Sequence, residues 1–168
     1  VTITPGAPAK IALISPPANL TAGVPYNGVS VEVLDALDNN VGSTASDTIT
    51  VSARMDVTCA SPHASPLSVT ANGVLTTNGV ANFSNLTMTA AGSMYLQVTT
   101  AGALPALCSP IIPIAPGTAD HLSFATQPSN TLTAGTTFST QPKVEVRDAF
   151  ENVVNSSAPI QLAAYTDV

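Results

Sequence analysis

Residues 5–57 are written a second time at residues 116–168, at an offset of about 111 positions. Leu20-Thr21-Ala22-Gly23 returns unchanged as Leu132-Thr133-Ala134-Gly135. Val31-Glu32-Val33-x-Asp35-Ala36 returns as Val144-Glu145-Val146-x-Asp148-Ala149, and Asp38-Asn39 as Glu151-Asn152. Other positions keep only their chemical type: Ile11 and Leu13 become Leu122 and Phe124, and Tyr26 becomes Phe138. Asp56-Val57 recurs as Asp167-Val168. A fixed period of this length marks a tandem array in which each copy is a folding unit. Residues 5–115 are expected to form one complete domain, and residues 116–168 the first half of a second. Val1 to Thr4 precedes Pro5-Gly6 as Ile112 to Ala115 precedes Pro116-Gly117, so residues 1–4 read as the last strand of a preceding repeat. The chain reads as a window on a longer array.

Within each copy the apolar residues alternate. Val29-Ser30-Val31-Glu32-Val33, Ile49-Thr50-Val51-Ser52-Ala53 and Met94-Tyr95-Leu96-Gln97-Val98 each put three apolar side chains on one face of a strand. Shorter strands are expected over Lys10 to Ser15, Pro66 to Thr70, Ala81 to Thr89 and Cys108 to Ile114. Asn72-Gly73 and Asn78-Gly79 read as tight turns, whose two central residues both need positive φ. The 14 prolines and 10 glycines leave few stretches long enough for a helix. About seven strands per repeat, with turns at roughly 10-residue spacing, predict an all-β fold of two packed sheets. Its core would be aliphatic, with Phe83, Tyr26 and Tyr95 as the largest members.

The order of these pieces resembles the bacterial immunoglobulin-like repeats of invasin- and intimin-type adhesins and other long surface proteins. The likeness spans the chain and is most specific at Val31 to Asn39, with its copy Val144 to Asn152, at Asn78 to Ser84 and at Gly92 to Leu96. Members usually carry Gly before the Asn of the D-A-x-G-N turn, where Asp38 and Glu151 stand here. The resemblance implies immunoglobulin-like sandwiches in tandem, outside the cell, acting as spacers or adhesive modules without catalysis.

The residues able to carry chemistry are few. Cys59 and Cys108 are the two cysteines, and in an extracellular context a disulfide is favoured over two buried thiols. A zinc site lacks ligands beyond these and His63. Asp35, Asp38 and Asn39, with their copies Asp148, Glu151 and Asn152, are oxygen-bearing candidates for Ca²⁺, with Asp47 or Asp56 as further candidates for the first set. The competing role is local: Asp and Asn at such positions bond their own backbone and shape the turn. No other cofactor is suggested. His63 and His121 have no nucleophile in a recognisable motif, and His121 takes the place of Lys10, which argues against an amide crosslink from that lysine. Asn19, Asn82, Asn85 and Asn155 head N-x-S/T sequons and are glycosylation candidates.

With 8% charged residues, a net charge of −6 and only four dispersed cations, the chain lacks the clustered positive charge of a nucleic-acid surface. It holds no apolar run long enough to insert in a membrane as a helix. The expected role is a structural repeat of an extracellular stalk, fibre or filament on a microbial surface. Its partners would be neighbouring repeats or copies of itself, with a host or surface ligand as a further possibility. The alternatives are an adhesin or carbohydrate-binding module, or an accessory domain of a secreted hydrolase. A carbohydrate platform usually needs exposed aromatic rings, and the chain has no Trp and seven Phe plus Tyr (4 + 3).

Overall fold

The structure, a computed structural model, describes residues 2–44 and 46–165. Val1, Asp167 and Val168 lie outside the described residues. The chain divides into two compact units, Val1–Gly117 and Thr118–Val168.

The first unit is all-β among its described residues, apart from a single 3-10 turn at Gly42–Thr44. Its strands are β1 (Lys10–Leu13), β2 (Leu20–Thr21), β3 (Val29–Leu34), β4 (Thr48–Arg54), β5 (Val74–Leu75), β6 (Val80–Phe83), β7 (Gly92–Thr100), β8 (Leu107–Cys108) and β9 (Ile112–Ala115). They form two sheets, β1-β3-β6 and β2-β9-β7-β4-β5, with β8 paired to β7 beside β9. The alternation read from the sequence places the core between them. Val29, Val31 and Val33 of β3 face Ile49 and Val51 of β4 and Met94, Leu96 and Val98 of β7, all buried. Burying each such side chain contributes about 1.5–3 kcal/mol, so the three long strands carry most of the apolar stabilisation.

Three expected strands are shorter than the alternation implies, two of them for a backbone reason. Pro66 to Thr70 makes only a bridge, Ser68 to Thr87, although Leu67 and Val69 still pack against the core. Ala81 to Thr89 is cut after Phe83 because Asn85 takes a left-handed φ of 56°. Cys108 to Ile114 is interrupted at Pro110, which has no N–H to give a ladder. There the Ser109 hydroxyl accepts from the Leu96 N–H (2.8 Å), and the Ser109 N–H donates to the Leu96 carbonyl (2.9 Å).

Of the two expected tight turns, Asn78-Gly79 has both residues at positive φ (52° and 75°) and joins Thr77 to Val80 as a two-residue hairpin. Asn72-Gly73 does not: only Gly73 has positive φ. The Asn72 amide instead bonds both the N–H and the carbonyl of Val51 (2.9 and 3.0 Å), and so continues the β5 edge of β4 where β5 itself is absent. Residues 2–4, expected as a strand, carry none, and Ile3 is exposed.

The second unit contains β10 (Ala119–Thr126) and β11 (Lys143–Asp148), one antiparallel pair. Their register repeats that of β1 and β3. Leu122 faces Val146 as Ile11 faces Val33, and Phe124 faces Val144 as Leu13 faces Val31. Burial differs. Leu122 is 56% exposed against 6% for Ile11, and Leu162 is 58% exposed against 2% for its counterpart Val51. Val144 and Val146 are half-buried, while Ile160 and Leu162 are exposed. Residues 159–165 stand at the place of β4 in the repeat yet form no strand. In the first unit β4 is paired by β7 on one side and β5 on the other, whereas among the described residues of the second unit no strand pairs with residues 159–165.

Candidate functional site

The most built feature of each unit is its acidic turn, which follows β3 in the first and β11 in the second. In the first, Asp35 is buried (3% exposed). Its Oδ1 accepts from the N–H groups of Leu37 and Asn39 (both 2.9 Å), and its Oδ2 from the Gly6 N–H (2.8 Å) and Asn39 Nδ2 (3.0 Å). These donors, the Asn39 side chain foremost and the Gly6 amide next, hold the carboxyl well below the usual carboxylate range. One charged group thus satisfies a whole turn and fastens the start of the unit to it.

The second unit repeats the bonds that Asp35 makes within its own turn. Asp148 Oδ1 accepts from Phe150 and Asn152 N–H (both 2.9 Å), and Oδ2 from Asn152 Nδ2 (2.8 Å). The Asp148 N–H donates to the Asn152 carbonyl, as Asp35 does to Asn39. Asp38 and Glu151 have φ of 67° and 66°, the left-handed region in which glycine carries no Cβ penalty. That explains the glycine usual at this place in the resembling family. Each acid finds a nitrogen-bearing side chain on the neighbouring strand: Asp38 bonds Lys10 Nζ at 2.6 Å, and Glu151 lies 3.2 Å from His121 Nε2. The exchange of Lys10 for His121 therefore preserves a pairing.

This geometry bears on the calcium candidates. The oxygens of Asp35 face N–H groups, whose positive ends oppose a cation. Asp47 is engaged elsewhere, accepting from Thr48 N–H (2.8 Å) and Gly102 N–H (3.2 Å). Among the described residues no group of three or more His, Cys, Asp or Glu converges on a point.

Cys59 and Cys108 are joined in a disulfide with Cα atoms 5.9 Å apart. Cys108 pairs with Gln97, which lies between the buried Leu96 and Val98, so both face away from the core. The bridge therefore fastens the Met55–Pro62 loop across the outer face of the larger sheet rather than tying the two sheets together. Asp56, weighed from sequence only as a metal adjunct, organises that loop. It accepts from the Thr58 hydroxyl and from the N–H groups of Thr58, Ala60 and Ser61 (3.0, 3.2 and 2.7 Å), which hold its carboxyl below the usual range. The legible signal was Asp followed two residues later by Thr, a pairing that favours a side-chain-to-backbone turn. Cys59 itself has φ 55°, a conformation this bonding sustains.

The remaining candidates are dispersed. His63 Nδ1 lies 3.1 Å from the Ser65 N–H and contacts no nucleophile or acid in a triad. Asn19, Asn82, Asn85 and Asn155 are all exposed. Asn82 accepts from the Ser30 hydroxyl (2.6 Å), and Asn85 donates to Thr70 Oγ1 (2.7 Å). Among the described residues no helix is long and apolar enough to cross a membrane.

One further feature was not read from the sequence. β2 and β9, the early and final strands of the first unit, run parallel, with Leu20 opposite Ile114 and Thr21 opposite Ala115. The Ala22 N–H extends the ladder by donating to the Ala115 carbonyl at 2.8 Å.

No protein-family model matches the chain, and no curated protein matches it. Among solved structures, domains 4–9 of the surface layer protein SbsC are similar at TM-score 0.45 and 17% identity, over 89% of this chain and 21% of that one. Domains 5–6 of the same S-layer protein give the same score and identity over 66% of their length. The chain thus spans about a fifth of the first of these, and at this similarity neither carries a functional argument.

Proposed function

We propose that the chain is a non-catalytic structural module, immunoglobulin-like and repeated in tandem, in an extracellular or cell-surface stalk, fibre or filament. The observation that carries this reading is the parallel closure of β2 on β9. Tension between the two ends of the first unit pulls these strands in opposite directions along their length. Their hydrogen bonds then share the force in shear instead of opening one at a time. The strand order β1-β3-β6 against β2-β9-β7-β4-β5 supports the immunoglobulin-like assignment, and the disulfide suits an oxidising exterior. In this reading the partners are neighbouring repeats or copies of the same chain. No arrangement among the described residues favours a carbohydrate platform or an accessory role beside a hydrolase.

Pulling single molecules of the whole chain from its two ends tests this. The first unit should unfold in one high-force event, and Ala22→Pro, which removes the terminal ladder donor, should lower that force by more than it lowers the equilibrium stability. A unit that stretches without a force peak, or one indifferent to Ala22→Pro, would overturn the reading. Reduction of the disulfide should lengthen the released chain by about 170 Å, the reach of the residues between Cys59 and Cys108 at roughly 3.5 Å each.

A further inference from the structure

Three asparagines of the first unit are followed by glycine: Asn27-Gly28, Asn72-Gly73 and Asn78-Gly79. The second unit has no such pair. In this dipeptide the backbone nitrogen of the glycine can attack the asparagine side chain, because no Cβ stands beside it. Both groups belong to one chain, so the step is intramolecular. The three sites are chemically alike and differ only in what surrounds them.

Asn78 is locked in its hairpin. Thr77 and Val80 exchange backbone bonds across it (2.8 and 3.1 Å), and the Gly79 carbonyl accepts from the Val33 N–H at 2.8 Å. Gly79 is buried, and a Cβ there would lie 2.3 Å from Asn40 Oδ1. Asn72 is held at both ends of its amide by Val51, so losing its nitrogen means breaking both bonds. Asn27 is held at one end only. Its Oδ1 accepts from the Asn85 N–H at 2.8 Å, while its Nδ2 has no partner among the described residues. Gly28 is exposed, and nothing lies within 4 Å of the place its Cβ would take. The attacking and leaving nitrogens are therefore both free. The one fixed contact is a donor on the oxygen that gains negative charge during attack, where such a donor stabilises the transition state.

We propose that Asn27 is a site of spontaneous modification, where the folded chain converts its own asparagine to isoaspartate and aspartate. The Gly28 nitrogen gives its proton to hydroxide and bonds to Asn27 Cγ. The Cγ–Nδ2 bond then breaks, and ammonia leaves. Water opens the resulting cyclic imide at either carbonyl, so that one water enters for each ammonia released and nothing is oxidised or reduced. Opening at the main-chain carbonyl routes the backbone through the side chain of residue 27 and lengthens it by one carbon. The place of that carbon matters. Tyr26 pairs with Leu86 and Val29 with Phe83, so three steps along one segment match three along the other. An added carbon between the pairs cannot leave both in register. Modification therefore loosens the entry to β3, and it does so with elapsed time instead of with a ligand.

The test keeps the whole folded chain in mildly alkaline buffer and follows each Asn-Gly pair by peptide mapping, with mass and chromatographic retention reporting the aspartate and isoaspartate formed. Asn27 should convert at least about tenfold faster than Asn72, which must first release two hydrogen bonds, and Asn78 should be slowest. In urea the three rates should draw together, since only the fold separates them. Equal rates in the folded chain, or earlier conversion at Asn72 or Asn78, would overturn the proposal. Amide exchange then reads the consequence. In the purified isoaspartyl form the Tyr26 and Leu86 amides should exchange at least about tenfold faster than in the parent. Asn27→Asp, which keeps the ordinary backbone and an acceptor for the Asn85 N–H, should exchange at the parent rate. Unchanged exchange in the isoaspartyl form, or an equal gain in Asn27→Asp, would overturn the loss of register.

Discussion

Asp35 shows how much one side chain can decide. Its donors stabilise the carboxylate and not the acid, so the folded state holds this proton more weakly than the unfolded chain. Stability from such a group is fully present above the unfolded pKa, about 3.9, and is lost as pH falls through the lower folded value. Asp56 acts in the same sense. Urea unfolding of the first unit should therefore show no slope from these groups between pH 6 and 8 and a falling stability below about pH 4. Asp35→Asn should be less stable at neutral pH and flatter in acid; an unchanged acid slope would refute the assignment. Position 38 makes a separate prediction. Relieving its left-handed φ should outweigh the loss of an exposed ion pair worth at most about 1 kcal/mol. Asp38→Gly should be neutral to about 1 kcal/mol stabilising, whereas Asp38→Val should destabilise. Melting curves of the two variants that coincide would contradict this. Because the turn is bonded by N–H groups throughout, melting should also be the same in chelator and in millimolar calcium.

Among the elements, β7 and the loop it supports matter most. β7 pairs with β4 on one side and with β8 and β9 on the other, and its inner residues Met94, Leu96 and Val98 are fully buried. Leu96→Ala should cost about 2–5 kcal/mol, the range for a truncated core leucine, measured by chemical denaturation. The disulfide on its outer face closes a separation of 49 residues, for which loop-closure entropy gives about 4 kcal/mol. Replacing both cysteines by serine should lower stability by roughly that amount and expose the Met55–Pro62 loop to proteolysis before the sheets open. If the loop stays resistant, Asp56 rather than the disulfide holds it. The hairpin at Asn78-Gly79 is a tighter constraint than its length suggests. A Cβ at Gly79 would lie 2.3 Å from Asn40 Oδ1 at a φ of 75°, so Gly79→Ala should disturb the 3-10 turn as well as β6.

At the scale of the molecule, one sequence pattern has two outcomes. The first unit closes its apolar faces against each other, whereas the second leaves Leu122, Phe124 and Leu162 exposed beside an edge that no strand pairs among the described residues. Exposed edges of this kind are templates for pairing. Hydrogen exchange should accordingly separate equivalent positions within one chain, with Val31 and Val33 slow and Val144 and Val146 faster by orders of magnitude. Similar rates for the two sets in dilute solution would mean that the second unit is closed by its own residues.

The repeat, the all-β character, the long strands β3, β4 and β7 and the cysteine pair were legible in the residues alone. Alternation and turn chemistry are local, and two cysteines allow one pairing. The breaks at Asn85 and Pro110, the use of Asn72 as a substitute strand and the role of Asp56 emerged only in three dimensions, because each depends on which backbone groups a neighbour leaves unsatisfied. The parallel closure of β2 on β9 belongs there too, since it joins residues that the sequence holds far apart. Residues 159–165 give the clearest case. They stand where the repeat puts β4 and keep its Ile49 and Ala53 as Ile160 and Ala164, but a strand is completed by its partner, and that partner decides whether the pattern becomes a sheet.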